Sequence, residues 1–580
     1  MNPQHRWIEP RSVAGEMTAR LAAECGVPAP MARLLCTRGH QEPESVQRLL
    51  DPRPEHLLDP FLMAGMASAV ERLGRAIADG ERIVVNGDYD ADGVTGTSLL
   101  VSNLQALGAR VDFFIPDRER DGYGITPRLV RRAADVGVRV LLSVDCGSSD
   151  HEAIAEAQSR GVDVVVIDHH EIPHPPPSAH VILNPKRDDC AYPFKGLSAV
   201  GVAYKLLQAL VSSGGGAGQP ADGLDFVALG TLADAQPMVG ENRTLVALGL
   251  RRLSATMRPG IRALRELAGV RDEPVGSRTV GWRLVPRLNA VGRVARGKLA
   301  VDLLLAPDDA TASRLATEIE SRNRWRQSLE QKAVQDAVAR AEALRRERQP
   351  AALVLSSEDW HPGVVGIAAA RLVGRFGLTS AVIGVLNGVG RGSVRSAGGI
   401  DVRAALDATS DLLVKHGGHR EAAGFTIAPP HIPEFMQRFE AAVRAQGETG
   451  QERTLLVDTA IDADEIDTAL VEALDRLEPF GAGNPEPLFL LRGLRIGPRT
   501  RVVGDGHLKL DLQAAGGGRT LDGIAFGRAR TLRPAEALGR DIDAVAHLRR
   551  QDPRWGGGVQ IVVTDLRPHA AAGAPAEELS

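Results

Sequence analysis

The chain of 580 residues is short of several residue types, and each shortage removes a class of protein. It has four cysteines, Cys25, Cys36, Cys146 and Cys190, none spaced as C-x-x-C. Neither a disulfide framework nor a zinc knuckle is supported. No apolar run reaches the ~18–20 residues that span a bilayer. Met1 to Arg11 is polar and has no signal-peptide core. A cytoplasmic protein without membrane attachment is therefore expected. Lysine supplies only 7 of the 69 basic residues. Most cationic contacts must then be guanidinium forks, which suit phosphates. The net charge of −4 does not by itself mark a nucleic-acid binder, although a global sum hides local patches. What is present is ordinary for a soluble globular chain, 43% hydrophobic and 24% charged residues. The length predicts three to five domains.

Residues 1–60 read as short helices interrupted by Pro28, Pro30, Pro43, Pro52 and Pro54. From about 61 to 255, apolar strands alternate with helices, the pattern of a doubly wound parallel sheet covered on both faces. Residues 213–218 read as a flexible loop. Residues 256–348 form a helical connector. Within it, 308–348 lacks Gly and Pro and predicts one helix of about 60 Å at 1.5 Å per residue. Segment 287–348 carries a net charge of +4, which suits either a solvated connector face or a DNA-tracking one. A second, smaller α/β unit covers 349–447, with strands at 351–355 and 380–385, a helix at 363–375 and a Gly-rich turn at 388–399. Residues 452–566 are strand-rich and suggest a small barrel. The tail from 567 reads as disordered.

The informative constellation lies at strand ends. The strand around Ile83–Asn86 runs into Gly87-Asp88-Tyr89-Asp90-Ala91-Asp92-Gly93. Later strands run into Asp145-Cys146-Gly147 and Asp168-His169-His170, and Asp234 lies in another apolar stretch. Ligands of open α/β sheets bind beyond the carboxyl ends of strands. Concentrated carboxylates raise one another's pKa, and a cation relieves that repulsion. Oxygen-rich ligands with one or two imidazoles suit Mn²⁺ or Mg²⁺, with Zn²⁺ a third option. A shared carboxylate can bridge two ions ~3.5–4 Å apart, the arrangement used to cleave phosphoesters.

These motifs resemble those of the DHH phosphoesterase superfamily. Trp360-His361-Pro362-Gly363, Pro286-Arg287-Leu288-Asn289-Ala290 with Gly292-Arg293, Gly417-Gly418-His419 and Pro479-Phe480-Gly481-Ala482-Gly483-Asn484-Pro485 further resemble its RecJ branch of single-strand-specific 5′→3′ exonucleases. The resemblance covers about 60–560. It implies an α/β multidomain fold: a doubly wound DHH domain, a long connecting helix, a DHH-associated domain and a C-terminal OB-like barrel. It also implies release of 5′-mononucleotides in recombination and repair. By similarity, Asp90 and Asp145 would hold one divalent cation. Asp92, Asp145, His169 and Asp234 would hold the other. The superfamily often has a histidine where this chain has Asn86, and Asp88 is the residue expected to replace that ligand. Asp168 would orient an imidazole, and His170 would touch the scissile phosphate or its leaving oxygen.

The turn read at Gly390–Ser396 offers a backbone nest with hydroxyls and guanidiniums. With the resemblance, Ser393, Arg395 and Ser396 are expected to hold the 5′ end. His419 is expected in the same cleft, with Gly417 and Gly418 allowing close backbone approach. Arg287 and Arg293 are phosphate-clamp candidates. Arg118 and Tyr123 are placed along the strand path, and Trp555 is either a stacking or a core residue of the barrel. Single-stranded DNA is the expected partner of a monomer. Single-stranded-DNA-binding protein and a RecQ-type helicase are implied by the family alone. The rival readings are a DHH oligoribonuclease or cyclic-dinucleotide phosphodiesterase, and an inactive DHH scaffold of a replication complex.

Overall fold

The computed structural model describes residues 5–9, 13–118, 120–215, 222–447, 454–504, 506–514, 518–530, 532–551 and 556–569. Trp555, residues 570–580 of the expected tail and half of the loop expected at 213–218 lie outside these residues, whereas Arg567 and Pro568, read as the start of the tail, end a strand. The chain forms two compact units. One comprises 57–236 with 240–451, and the other 1–56, 237–239 and 452–580.

In the first unit, five short strands form an all-parallel sheet: β1 (Arg82–Gly87), β2 (Arg110–Phe114), β3 (Val138–Val144), β4 (Asp163–Ile167) and β5 (Val181–Leu183). Their order is β2-β1-β3-β4-β5. Ile83, Val85, Leu141, Leu142, Val164 and Val166 are fully buried, as a sheet covered on both faces requires. Strand addition reverses between β1 and β3, and this opens a crevice at their carboxyl ends. Helices α1 (Ala91–Ala106), α2 (Ala199–Leu210) and α3 (Leu224–Ala233) follow. All three are rich in small or apolar residues buried on most sides.

The connector contains α4 (Val285–Val294) and the 39-residue α5 (Asp309–Glu347), capped by the Asp308 carboxylate on the Thr311 N–H. Its apolar contacts come in two patches. Ala312, Leu315, Ala316 and Ile319 are buried near its start, while Ala333, Ala337 and Ala341 pack with Leu353, Trp360 and Val365. The second α/β half has strands β6 (Leu353–Ser357), β7 (Ser380–Leu386), β8 (Val389–Arg395), β9 (Leu413–Gly418) and β10 (Ala422–Ile427), and helix α6 (Val365–Phe376). Their order is β9-β10-β8-β7-β6. This corrects the Gly-rich turn expected at 388–399. Residues 389–395 are a central strand paired on both sides, so their N–H groups belong to the sheet and form no nest. Its glycines serve packing: a Cβ on Gly392 would lie 2.1 Å from the Phe425 ring.

In the second unit, β11 (Phe489–Ile496), β12 (Arg501–Val503), β13 (His507–Ala514), β14 (Thr520–Ala525), β15 (Asp541–Arg550) and β16 (Val559–Pro568) pair in the order β11-β15-β16-β14-β13-β12. An added β11–β13 pairing closes five of them into a barrel. Helices at Gly15–Cys25, Ala29–Thr37 and Pro43–Leu50 join this unit's core: Leu21, Met31, Leu34 and Leu35 pack in one cluster with Leu494, Leu510, Ile542 and Ile561. A bidentate Arg38–Asp458 pair and an Arg33–Glu465 pair, in which one guanidinium nitrogen donates to both carboxylate oxygens, hold the seam. Pro30 and Pro43 occupy first-turn positions, where proline starts helices rather than breaking them. Among the described residues, no helix is long and apolar enough to cross a membrane.

Candidate metal centre and cleft

Each acid in the crevice is delivered by a specific local device. The loop after β1 folds tightly over the start of α1. A Cβ on Gly87 would lie 2.0 Å from Thr97 Oγ1, and one on Gly93 would lie 2.5 Å from the Asp88 nitrogen. Asp90 caps α1, its Oδ1 accepting from the Asp92 and Gly93 N–H groups at 3.0 and 3.1 Å. Asp92 projects from the first turn onto the N-terminus of α2, accepting from Ala199 N–H at 2.8 Å and Val200 N–H at 2.9 Å. Asp145 follows β3 at φ +63°, a left-handed conformation uncommon outside glycine. Asp168, His169 and His170 follow β4, and Asp234 ends α3.

Three overlapping groups of possible ligand atoms result, each spanning no more than 4.8 Å: Asp88–Asp90–Asp145, Asp92–His169–Asp234 and Asp145–Asp168–His169–His170. His169 Nε2 lies 3.2 Å from Asp145, 3.4 Å from Asp234 and 3.9 Å from Asp92. Asp168 is engaged elsewhere: its Oδ1 accepts from the His169 and His170 N–H groups and contacts His170 Nδ1 at 2.7 Å, while its Oδ2 accepts from Ser148 N–H.

Burial, and then neighbouring carboxylates, push Asp88, Asp92 and Asp145 well above the usual carboxylate range. Burial pushes Asp234 up to about 6, although the Gln236 amide opposes it. Burial alone would also raise Asp168, but the bond with His170 outweighs it and holds this carboxyl low. Burial would lower His170, but the same bond raises it to about 9. Burial and the His170 charge lower His169 to about 4. A neutral imidazole is the form that ligates metal.

The residues fit divalent cations. Asp88 Oδ1 is buried without a hydrogen-bond partner, and a carboxylate oxygen of Asp88 lies within 4.8 Å of one from Asp90 and one from Asp145. A buried unpaired carboxylate oxygen is costly, and a cation removes the cost. Asn86 is fully buried beside Cys146, 3.4 Å from its sulfur. Cys146 is 1% exposed and also contacts Ser143.

Facing the acids is a cleft of about 820 Å³ lined by Tyr89, Arg118, Tyr123, Arg293, Arg391, Ser393, Arg395, Lys415, Gly417 and Gly418, among others. Side chains of a strand alternate in direction, so Arg391, Ser393 and Arg395 of β8 share one face while Gly390, Gly392 and Val394 are buried on the other. Burial and then the charges of Arg118, Arg326 and Arg395 bring Arg293 down to about 10. Burial also lowers Arg395. Guanidiniums close enough to lower one another favour an anion between them. Gly366, in the first turn of α6, approaches closely enough that its Cβ would lie 3.1 Å from Ser393 Oγ and 3.3 Å from Arg395. Tyr123 donates to the Asp145 carbonyl at 2.9 Å and meets His170 edge-on.

Two expected contacts, Arg287 and Ser396, lie elsewhere. Arg287 pairs with Glu320 at 2.7 Å and donates to the Arg283 and Leu267 carbonyls, so it braces the connector and does not line the cleft. Ser396 follows β8 and donates to the Ile400 carbonyl at 2.6 Å. His419 lies in the turn between β9 and β10, its N–H bonded to Ala422. It is not among the cleft's lining residues, but its charge bears on His169. Other residues had no individual role in the sequence reading. Gln236 donates to Asp234 at 2.7 Å and lies 3.3 Å from His169 Nδ1. Asn289 accepts from the Ala91 N–H at 2.8 Å, and Gly292 passes so near that a Cβ would lie 2.2 Å from the Tyr89 carbonyl. Arg391 was visible as the third member of an alternating Arg391-Ser393-Arg395 set. Gln236 had only its place two residues after Asp234 to mark it.

Comparison with known proteins gives three domain matches: the DHH family N-terminal domain over residues 82–231, the DHHA1 domain over 349–445 and the RecJ OB domain over 457–565. The chain is 36% identical over 573 residues to the single-stranded-DNA-specific exonuclease RecJ of Dickeya dadantii, covering 95% of this chain and 98% of that one. Thermus thermophilus RecJ in complex with Mn²⁺ superposes with a TM-score of 0.83 at 31% identity, covering 98% of this chain and 80% of that one. The same protein in complex with Mg²⁺ gives 0.76 at 30%, covering 98% and 79%.

Proposed function

The chain belongs to the RecJ family of single-stranded-DNA-specific exonucleases, a branch of the DHH phosphoesterases, and from that premise we propose how its residues divide the work. It is a single-strand-specific DNA exonuclease that hydrolyses phosphodiester bonds. We read its direction as 5′→3′ and its products as 5′-mononucleotides.

The observation that carries the residue assignment is the buried, unpaired Asp88 oxygen among acids from three strand ends. Asp88, Asp90 and Asp145 would hold one divalent cation, and Asp92, Asp145, His169 and Asp234 the other. Such a pair, Mn²⁺ or Mg²⁺, supplies charge neutralisation and a more acidic water. Asp168 fixes the His170 ring through Nδ1, which leaves Nε2 to donate to a phosphate or leaving oxygen. Arg118, Arg293, Arg391 and Lys415 would bind the strand's phosphates across the cleft. Ser393, Arg395 and the first turn of α6 would hold the 5′-terminal phosphate. Gly417 and Gly418 let the strand approach the backbone. The barrel adds affinity for single strands by stacking and charge. We place the enzyme in the cytoplasm as a monomer. Single-stranded-DNA-binding protein and a RecQ-type helicase are its candidate partners.

The test is release of mononucleotides from a 5′-labelled single strand with Mn²⁺ or Mg²⁺, beside EDTA and Asp145→Ala controls. Products from single strands alone, abolished by both controls, are expected. Labelled mononucleotides released last rather than first would overturn the direction. Cleavage confined to di- to pentanucleotides would overturn the exonuclease assignment and leave the metal site.

A further inference from the structure

The connector carries two exposed tryptophans that this chemistry does not use, Trp282 and Trp325, and Trp325 is the one beside the His361 turn. Helix α5 is charged along its exposed face, yet Trp325 stands on it 44% exposed. Tryptophan is scarce in this chain, 5 residues in 580, and an indole left in water forgoes a large burial gain. Its ring neighbour is His361, with centroids 5.9 Å apart and planes at 71°, so that ring does not stack flat on the part-exposed indole. Among the described residues no guanidinium lies over that ring.

Its location points to a use. His361 begins the turn whose next two residues, Pro362 and Gly363, line the cleft. Gly363 presses against α4: a Cβ there would lie 2.3 Å from the Arg293 carbonyl. Arg326, the residue after Trp325, is near enough for its charge to act on Arg293. Two of its three nitrogens bond Glu330 and Asn323, and its Nε is buried without a partner. Arg293 is itself a cleft residue. Trp325 therefore marks the rim of the cleft where α5 meets the His361 turn.

We propose that the part-exposed indole of Trp325 is a stacking step for a base of the single strand just outside the cleft, beside the phosphate contacts of Arg293. This rests on the single-strand reading above. A strand whose phosphates are held by guanidiniums has its bases free to swing outward, and an indole accepts any base because every base has a π-face. The step would add affinity without sequence preference. It would require unpaired bases, so it would also favour single strands over duplex.

The test is binding of a labelled oligothymidylate of about 16 nucleotides, followed by anisotropy in EDTA to prevent cleavage. Trp325→Ala should weaken binding about tenfold, and Trp325→Phe, which keeps a ring, should stay within about threefold. On a strand of the same length made of abasic sugar-phosphate, wild type and Trp325→Ala should bind alike. Equal binding of oligothymidylate by wild type and Trp325→Ala would overturn the proposal. So would an equal loss on the abasic strand, which would reveal a structural role. If wild type itself fails to bind oligothymidylate, the single-strand reading falls too, whereas failure at Trp325 alone leaves it standing.

Discussion

The acid centre and the cleft beside it form two walls, opposite in charge and alike in predicament. One gathers Asp88, Asp92, Asp145 and Asp234, each raised by burial and all but Asp88 short of a counter-charge from an arginine. The other gathers Arg293 and Arg395, both lowered by burial. Neither wall neutralises itself, and each is relieved by what it binds: cations on one side, a phosphate backbone on the other. The walls differ in construction. Asp88 and Asp145 follow strand ends and Asp92 and Asp234 sit at helix ends, while Arg395 stands on one face of a central strand and Arg293 on helix α4. Acid positions are therefore set by the ends of elements, and the Arg391-Ser393-Arg395 set by sheet register.

The comparison can be broken most severely at the shared acid. Asp145→Ala should lower kcat on single-stranded DNA at least about a thousandfold, ~4 kcal/mol of barrier, while the protein still melts cooperatively. Next comes the metal's share of stability. Mn²⁺ at about 100 times its Kd should stabilise wild type by about 2.7 kcal/mol per site. Asp88→Asn should melt higher than wild type in EDTA and gain less from Mn²⁺, by calorimetry. A lower melting temperature in EDTA would mean that Asp88 is not a repelled carboxylate. On the basic wall, Arg395→Ala should raise KM for 5′-phosphorylated strands by about 10–100-fold, as loss of a charge-assisted hydrogen bond predicts. Strands with a 5′-hydroxyl should show a smaller rise. The smallest effect sharpens the boundary of that wall. Arg287→Ala should leave single-strand affinity within about twofold and lower the melting temperature, since its partner is the part-buried Glu320. A large loss of affinity would return Arg287 to the cleft.

The difference in construction also explains what was legible in the sequence. Asp88, Asp90, Asp92, Asp145, Asp168, His169 and His170 stand directly after apolar strands, so local pattern was enough to bring them to one edge. The 39 residues of α5 were visible in the absence of Gly and Pro. Residues 388–399 were misread because five of these twelve residues are glycines, a composition that resembles a turn. Here the glycines make room for Phe425, which is distant in sequence. Arg287 was misplaced for the same kind of reason: its partner Glu320 lies on another helix, and nothing local distinguishes a brace from a clamp. Ser396 sits one residue beyond its strand, where period-2 alternation no longer fixes direction.

The shared core of the barrel unit has a consequence for how the chain is made. Leu21, Met31, Leu34 and Leu35 pack against strands that end near residue 568. At about 5–20 residues per second, the ribosome needs roughly 25–100 s to deliver those strands after the first helices emerge. For that interval the N-terminal helices present an uncovered apolar face, while all of residues 57–451 are synthesised. Their burial is thus a late event of biosynthesis, and truncating the last strand would leave the first helices as a chaperone substrate.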